Sequence, residues 1–361
     1  MELSNRPGSG PLAVGKVSAR TFTDAIEPYL GRRRPEVLIG PRAGIDSGIV
    51  DIGGGRVMAI TTDPFFVDPA FGWERAAWFA VHIVASDGAT SGLRPSYLTV
   101  DLNLPLCMTD EEFGELWRAV SDACDDIGLA VVAGHTARYD GCNYPMLGGA
   151  TVICTGERDA YIVPSLARVG DVVIMTKGAA IETTGIFGVR CGDIIARACG
   201  ADVARAARDL FCSMSVVRDA ELAVEAGVRE RGVTGMHDAT ERGVWGGLVE
   251  MAEAAGTGMV VEVDAIPLRP ESRAVCRLFE IDPYSTSSEG TLLLTCKAHA
   301  VSAVIDRLTT GGIEAARIGE LTPLEEGVRT VQSGQERELR APESDPFWPA
   351  LMRAMGAKAD E

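Results

Sequence analysis

The chain has 361 residues, 51 acidic against 34 basic, for a formal net charge of −17, and 46% of it is hydrophobic. That length fits two domains of roughly 150 residues, each with a sizeable core. The acidic balance excludes nucleic acid as an expected partner, because binding a phosphate backbone needs clustered Lys and Arg. No stretch approaches the ~18 apolar residues of a membrane span, so no membrane partner is expected either.

The nine cysteines are odd in number and lack CxxC pairs. They read as reduced thiols of a cytoplasmic protein rather than a disulfide framework or a zinc site. The opening MELSNRPGSG has no apolar core of the kind a signal peptide needs.

Residues 1–34 read as a lead-in and a polar helix over Thr21–Leu30. GPLAVGK, ending at Lys16, looks like a phosphate loop, but Val17 follows where Ser or Thr is required and no strand precedes it, so it reads as a mobile segment. An N-terminal unit over 35–160 then begins with strands around GIVDI and RVMAITTD, joined by Gly53, Gly54 and Gly55. Pro64 has no amide hydrogen for a ladder, so the second strand is expected to stop near Asp63. A helix over Glu74–Thr90 and the strand SYLTVDLNLP follow. Next come a helix over Thr109–Ile127, opened by the capping-box pattern Thr109-Asp110-Glu111-Glu112, and the strands LAVVAG and MLGGATVICTGE. A turn-rich connection at 157–170 leads to a C-terminal unit over 168–342. There, helices are expected near 217–231, 241–255 and 299–310, with the strand DVVIMTK at 171–177 and strands near 233–237, 259–264, 290–296 and 314–319. The alternation argues for an α/β or α+β chain with mixed sheets. The tail 343–361 leaves two options, partial disorder or packing of Phe347 and Trp348 on the body.

Five carboxylates fall where turns meet strand or helix ends: Asp46 in GIDSGIV, Asp63 in AITTD, Asp87 in ASDGATSG, Asp238 in HDATERGVWGG and Glu289 in SSEGTLLL. Such positions collect ligands in α/β proteins. Acids converging on one site repel one another unless cations intervene, and magnesium takes carboxylates together with phosphates. Asp is equally a common turn former, and spacing alone leaves both readings open. Glycine-rich turns accompany the acids. AGHTARY places Gly134, His135 and Thr136 after a strand, TKGAAIETTG places Lys177 after another, and TERGVWGG opens a helix with Gly243. Backbone amides at helix starts suit phosphate oxygens, and a lysine adds a point charge.

Taken in order, GKVS at 15–18, GPRAGIDSGIV at 40–50, TTDPFFVDP at 61–69, ASDGATSGLRPSYL at 85–98, AGHT at 133–136 and TKGAAIETTG at 176–185 form a set. HDATERGVWGGLVEMAEAAG at 237–256, IPL at 266–268 and DPYSTSSEGTLLL at 282–294 complete it. The set resembles the superfamily of AIR synthase, selenophosphate synthetase, thiamine-monophosphate kinase and HypE, over roughly residues 12–325, and is nearest the HypE-like subgroup.

The resemblance implies an AIR synthase-like fold, in which an N-terminal unit pairs with a twin and a C-terminal α/β unit completes a cleft for ATP. It implies that Asp46, Asp63 and Asp87 hold magnesium and phosphate. Thr62, Asp63, Gly134, Thr136, Lys177 and Gly243 would bind nucleotide, and Asp238, Glu289 and His135 would act in catalysis. The shared chemistry is ATP-dependent activation of a carbonyl, amide or phosphate oxygen of a small molecule. The alternatives are a thiamine-monophosphate-kinase-like transfer and a catalytically degenerate nucleotide-binding protein. The sequence departs from the pattern in three places. Ile45 stands where many relatives have the first Asp of a pair. His135 stands where HypE-type proteins often carry Asp. The Pro-Arg-x-Cys ending of HypE proteins is replaced by MRAMGAKADE.

Overall fold

The computed structural model describes residues 15–17 and 19–356. Six strands build the first sheet: β1 (Val37–Ile39), β2 (Gly48–Gly53), β3 (Arg56–Phe66), β4 (Pro95–Leu104), β5 (Ala130–Arg138) and β6 (Met146–Glu157). Their order is β1-β2-β3-β6-β4-β5, antiparallel throughout except for the parallel pair β4–β5. That parallel pair needs a crossover, and the helix Asp110–Ile127 supplies it. The helix starts on the expected capping box: Thr109 Oγ1 accepts the Glu112 amide, and the Glu112 carboxylate accepts the Thr109 amide.

Alternation decides which face is buried. Val57, Ala59, Thr61 and Phe65 of β3 and Leu98, Val100, Leu102 and Leu104 of β4 turn inward, onto the helix Trp73–Ala89. The outward residues of β4 are Tyr97, Thr99, Asp101 and Asn103, so most of the apolar surface of this strand turns inside.

The second sheet holds β7 (Val172–Thr176), β8 (Val233–Asp238), β9 (Gly258–Glu262), β10 (Leu292–Cys296), β11 (Ala315–Thr322), β12 (Val328–Gln332) and β13 (Gln335–Glu338). Its order is β13-β12-β9-β11-β7-β10-β8, mixed because β9 and β12 run parallel. β7 and β10 are buried along their whole length and apolar on both faces. Val172, Ile174, Leu292 and Leu294 join a core that runs on into the first sheet. Val173, Met175 and Leu293 face a second core against the helix Gly243–Ala255. The two units therefore share one continuous apolar interior.

Several expectations are corrected. β3 continues through Pro64, which still sits opposite Gly149, because the ladder shifts register between Pro64 and Phe66 and absorbs the missing donor. The first helix is short, Ala19–Ala25, and a 3-10 turn containing Pro28 follows. The helix from Val217 stops at Glu225, just before Gly227 at φ +111°. AGHT does not follow a strand but lies within β5. Four further helices fill the C-terminal unit: Ile181–Arg190, Gly192–Cys199, Ala201–Asp209 and Pro270–Leu278. The tail packs rather than fraying up to Gly356. In the helix Phe347–Ala354, Phe347 is buried with its ring 6.0 Å from that of Phe187, and Trp348 lies 6.3 Å from Phe66. Within the N-terminal lead-in, residues 10–14 of the glycine-rich segment lie outside the described residues, whereas Lys16 is placed.

Candidate active site

The carboxylates come from both units. Asp46 sits on the loop before β2, Asp63 on β3, Asp87 in the last turns of the helix Trp73–Ala89, Asp238 at the end of β8, and Glu289 on the loop before β10. The Asp46 loop reaches the other unit. Gly44 has φ +71°, and a Cβ there would come within 2.3 Å of the Glu250 carbonyl oxygen, so only glycine allows this approach. Asp46 then places both oxygens on His237 Nδ1, at 2.8 and 3.0 Å. His237 Nε2 meets Glu250 at 3.1 Å, and the Arg242 guanidinium closes the far side of Glu250. Between its two carboxylates the buried His237 is held well above the usual histidine range: burial opposes the charge, and Asp46 and Glu250 outweigh it. Glu250 is drawn down to about 2 because His237, Lys16 and Arg242 overcome its own burial.

The remaining acids are poorly compensated. Burial first, then Asp238, Asp63 and Asp46, push Asp87 well above the carboxylate range, although Thr61 Oγ1 donates to it at 3.0 Å. Burial, against an opposing Lys16, raises Asp63 to about 6, and burial together with Asp46 raises Asp238 to about 7. Burial also lifts Glu289 well above its ordinary value, with Asp238, Glu182 and Asp87 adding to the effect. Glu182, whose Oε2 accepts the Glu289 amide at 3.1 Å, rises to about 8 for the same first reason. Among the described residues, no group lies within hydrogen-bonding geometry of the buried Asp238 Oδ2 or of either Glu289 oxygen. Ligand atoms of Asp46, His237 and Asp238 lie within 4.8 Å of one another.

Besides His237, Lys16 brings a positive charge into this group. Lys16 donates its amide to Glu241 at 3.0 Å and its Nζ to Thr240 Oγ1 at 3.1 Å. Desolvation opposes its charge, but Glu250, Asp87, Asp46 and Asp238 hold the ammonium above the usual lysine range.

Other expected site residues fall elsewhere. Asp63 pairs with Ala150, Ala150 with Val100, and Val100 with Gly134. At about 4.8 Å per strand, Gly134 is roughly 14 Å from Asp63, on the opposite edge of the sheet. His135 and Thr136 are exposed beside it, and the nearest partner of His135 Nε2 is the Tyr139 hydroxyl at 3.2 Å. Lys177 is not free for a phosphate. Its Nζ bonds the buried Asp219 at 2.8 Å and the Ser215 carbonyl at 2.6 Å. Thr62 is exposed next to Asp63, with its hydroxyl on the Ala150 carbonyl. Gly243 opens its helix at φ +59°, where a Cβ would lie 2.4 Å from the Thr286 carbonyl oxygen. Sequence reasoning missed Lys16, Glu182, His237, Glu241 and Glu250. All five lie inside the quoted segments, Lys16 in GKVS, Glu182 in TKGAAIETTG, and His237, Glu241 and Glu250 in HDATERGVWGGLVEMAEAAG, so the signal that could have found them was their place in the set.

Two mixed-sheet units that share a core and bring acids from both to their junction define the two-domain AIR synthase-like class. The chain belongs to the AIR synthase-related family: residues 44–156 match the model of its N-terminal domain and residues 168–332 that of its C-terminal domain. Among individual proteins, it is 28% identical over 300 residues to carbamoyl dehydratase HypE of Cupriavidus necator, covering 81% of this chain and 80% of that one. It is 25% identical over 348 residues to carbamoyl dehydratase HypE of Escherichia coli, covering 94% and 96%. A crystal structure of hydrogenase maturation protein HypE in complex with ATP superposes with a TM-score of 0.67 at 24% identity, over 92% of this chain and 97% of that one. AaThiL complexed with AMPPCP and TMP superposes with a TM-score of 0.63 at 16% identity, over 83% and 90%.

Proposed function

We propose that this chain is an ATP- and magnesium-dependent enzyme that activates an oxygen of a small molecule, with the nucleotide held where the two units meet. The observation that carries the reading is the mutual electrostatics of Asp46, Asp63, Asp87, Asp238 and Glu289, with Lys16 facing the first four and, among the described residues, Asp238 Oδ2 and both Glu289 oxygens buried and unpartnered. Buried acids so poorly compensated fit a cation, and an all-oxygen donor set fits magnesium. Asp63, Asp87 and Asp238 would hold the ions. Asp46, fixed by His237, keeps lone pairs to join them. Magnesium, when bound, neutralises the phosphate charge that these acids would otherwise repel. Lys16 stands among the same acids and offers its ammonium to phosphate oxygens. Glu289, whose burial favours the protonated form, can give a proton to a substrate atom or take one back.

The ATP-bound HypE structure supports the nucleotide, and the HypE relatives support oxygen activation. The AaThiL likeness favours a second reading in which phosphate stays on the substrate; product analysis by phosphorus NMR separates the two. Ile45, together with the engagement of Asp46 by His237, supports a third, a nucleotide-binding protein without turnover. The nine unpaired cysteines accord with a reducing, cytoplasmic setting. A homodimer through the first sheet is supported by the exposed strand β5, where Val131 and Val132 are open to a twin. Calorimetric titration with ATP and with a non-hydrolysable analogue, with and without magnesium, tests the function. Binding that requires the metal is expected, and no binding in either condition overturns the reading.

A further inference from the structure

Asp345 lies outside both family-matched segments, yet its one carboxylate joins three pieces of chain. Oδ2 accepts the Arg242 amide at 2.7 Å and the Ser287 hydroxyl at 2.9 Å. Oδ1 accepts the Phe347 amide at 2.8 Å and lies 3.5 Å from Thr286 Oγ1. The first loop it grips carries Asp238, Thr240 and Glu241, and the second carries Glu289. Arg242 is held at φ +65°, a left-handed backbone that side-chain-bearing residues rarely adopt, and its guanidinium supports Glu250 and through it His237 and Asp46. An Asp at this place works against local electrostatics, since it is one of the charges that raise Glu182. Capping the last helix needs only the bond to Phe347, which a serine makes as well. The contacts to Arg242, Ser287 and Thr286 are beyond that requirement, and all of them lie on the two acid-bearing loops.

We propose that Asp345 is a positioning residue of the site: it clamps the Asp238–Arg242 loop to the Thr286–Glu289 loop, so that the C-terminal acids face the nucleotide in one fixed arrangement. This rests on the ATP- and magnesium-binding reading given above. The test uses the full chain with Asp345→Ser, which keeps a helix cap but is too short to hold both loops, and Asp345→Asn, which keeps the shape and one acceptor oxygen. Amide hydrogen exchange in the ligand-free protein reads the clamp, and titration with MgATP reads its consequence. In Asp345→Ser, exchange at Arg242 and at the 286–289 amides is expected to speed up about tenfold, while Leu351 in the last helix stays protected. MgATP affinity is expected to fall about tenfold, with Asp345→Asn recovering part of it through its one acceptor oxygen. Unchanged exchange at Arg242 overturns the clamp. Freed amides with MgATP affinity within about twofold of wild type overturn the positioning role and leave a cap only. If the wild-type chain itself binds no MgATP, the proposed function fails, and the exchange pattern alone then decides whether the clamp exists.

Discussion

Replacing Asp63 by Asn should move two measurable quantities in opposite directions. Burial holds this carboxyl up at about 6, against 3.8 for the ordinary group, with Lys16 the one opposing influence among its causes. The folded chain therefore binds the proton more tightly than the unfolded chain. Stability falls as pH rises through this interval, and the full penalty is present above it. A displacement of about two units, at about 1.4 kcal/mol each, sets a ceiling near 3 kcal/mol. Asn removes the charge but also strips Lys16 of one partner, so a net gain of about 1–2 kcal/mol is expected at pH 7.5 in the ligand-free protein. In a domain of this size that is roughly 2–8 °C in melting temperature. MgATP affinity should meanwhile drop about tenfold, because the amide cannot hold a hard cation. Scanning calorimetry at pH 7.5 and pH 4, with titration calorimetry at pH 7.5, measures both quantities. A variant that melts no higher than wild type at pH 7.5, or gains as much at pH 4, refutes the electrostatic reasoning. Asp159→Asn, in the exposed turn after β6, is the control and should change neither quantity.

His237→Gln should cost about 3–5 kcal/mol, since it leaves Asp46 and Glu250 without their shared cation in a buried setting. The stabilisation from this imidazolium is fully present below the ordinary histidine range and is lost only as pH rises through its much higher folded-state value; nitrogen NMR should therefore find both ring nitrogens protonated at pH 8. Lys16→Met should weaken MgATP binding about tenfold and lower ligand-free stability, an outcome opposite in sign to Asp63→Asn on the second measurement. Thr109→Ala removes a capping box far from the acids; urea unfolding should show a loss of about 1 kcal/mol with nucleotide affinity unchanged. Val132→Asp, on the exposed edge strand, should shift light scattering from dimer to monomer at micromolar concentration, and a wild-type monomer would dismiss the dimer.

The two-unit plan was legible because its signals are local: alternating apolar residues in β3, β4 and β6, and the Thr109–Glu112 capping box. The five acids are legible by residue type and segment, and all feature in the mutual electrostatics of the junction, but Asp63 lies within β3 and Asp87 within a helix rather than in turns. What failed was distance across the chain. Gly134, His135 and Thr136 carry turn-forming residues, yet β5 runs straight through them and sets them three strands from Asp63. Lys177 looked like a free charge because Asp219, 42 residues on, has no local sequence signature as its partner. Val17 and the lack of a preceding strand speak against a phosphate loop, but not against a lysine delivered across the fold to Thr240 and Glu241. Pro64 was read as a stop because a ladder's tolerance for a register shift depends on the partner strand.

The raised acids also bear on how any ligand measurement is to be read. With Asp63 held at about 6, Asp238 at about 7 and Glu182 at about 8, the ligand-free pocket carries protons near neutrality. A cation that enters must displace some of them into the buffer. The heat recorded on titration will then include the ionisation enthalpy of whatever buffer takes up those protons. The same titration in phosphate and in Tris should give different apparent enthalpies at the same affinity. The slope of that enthalpy against buffer ionisation enthalpy counts the protons released, and so how many carboxyl groups the metal has claimed.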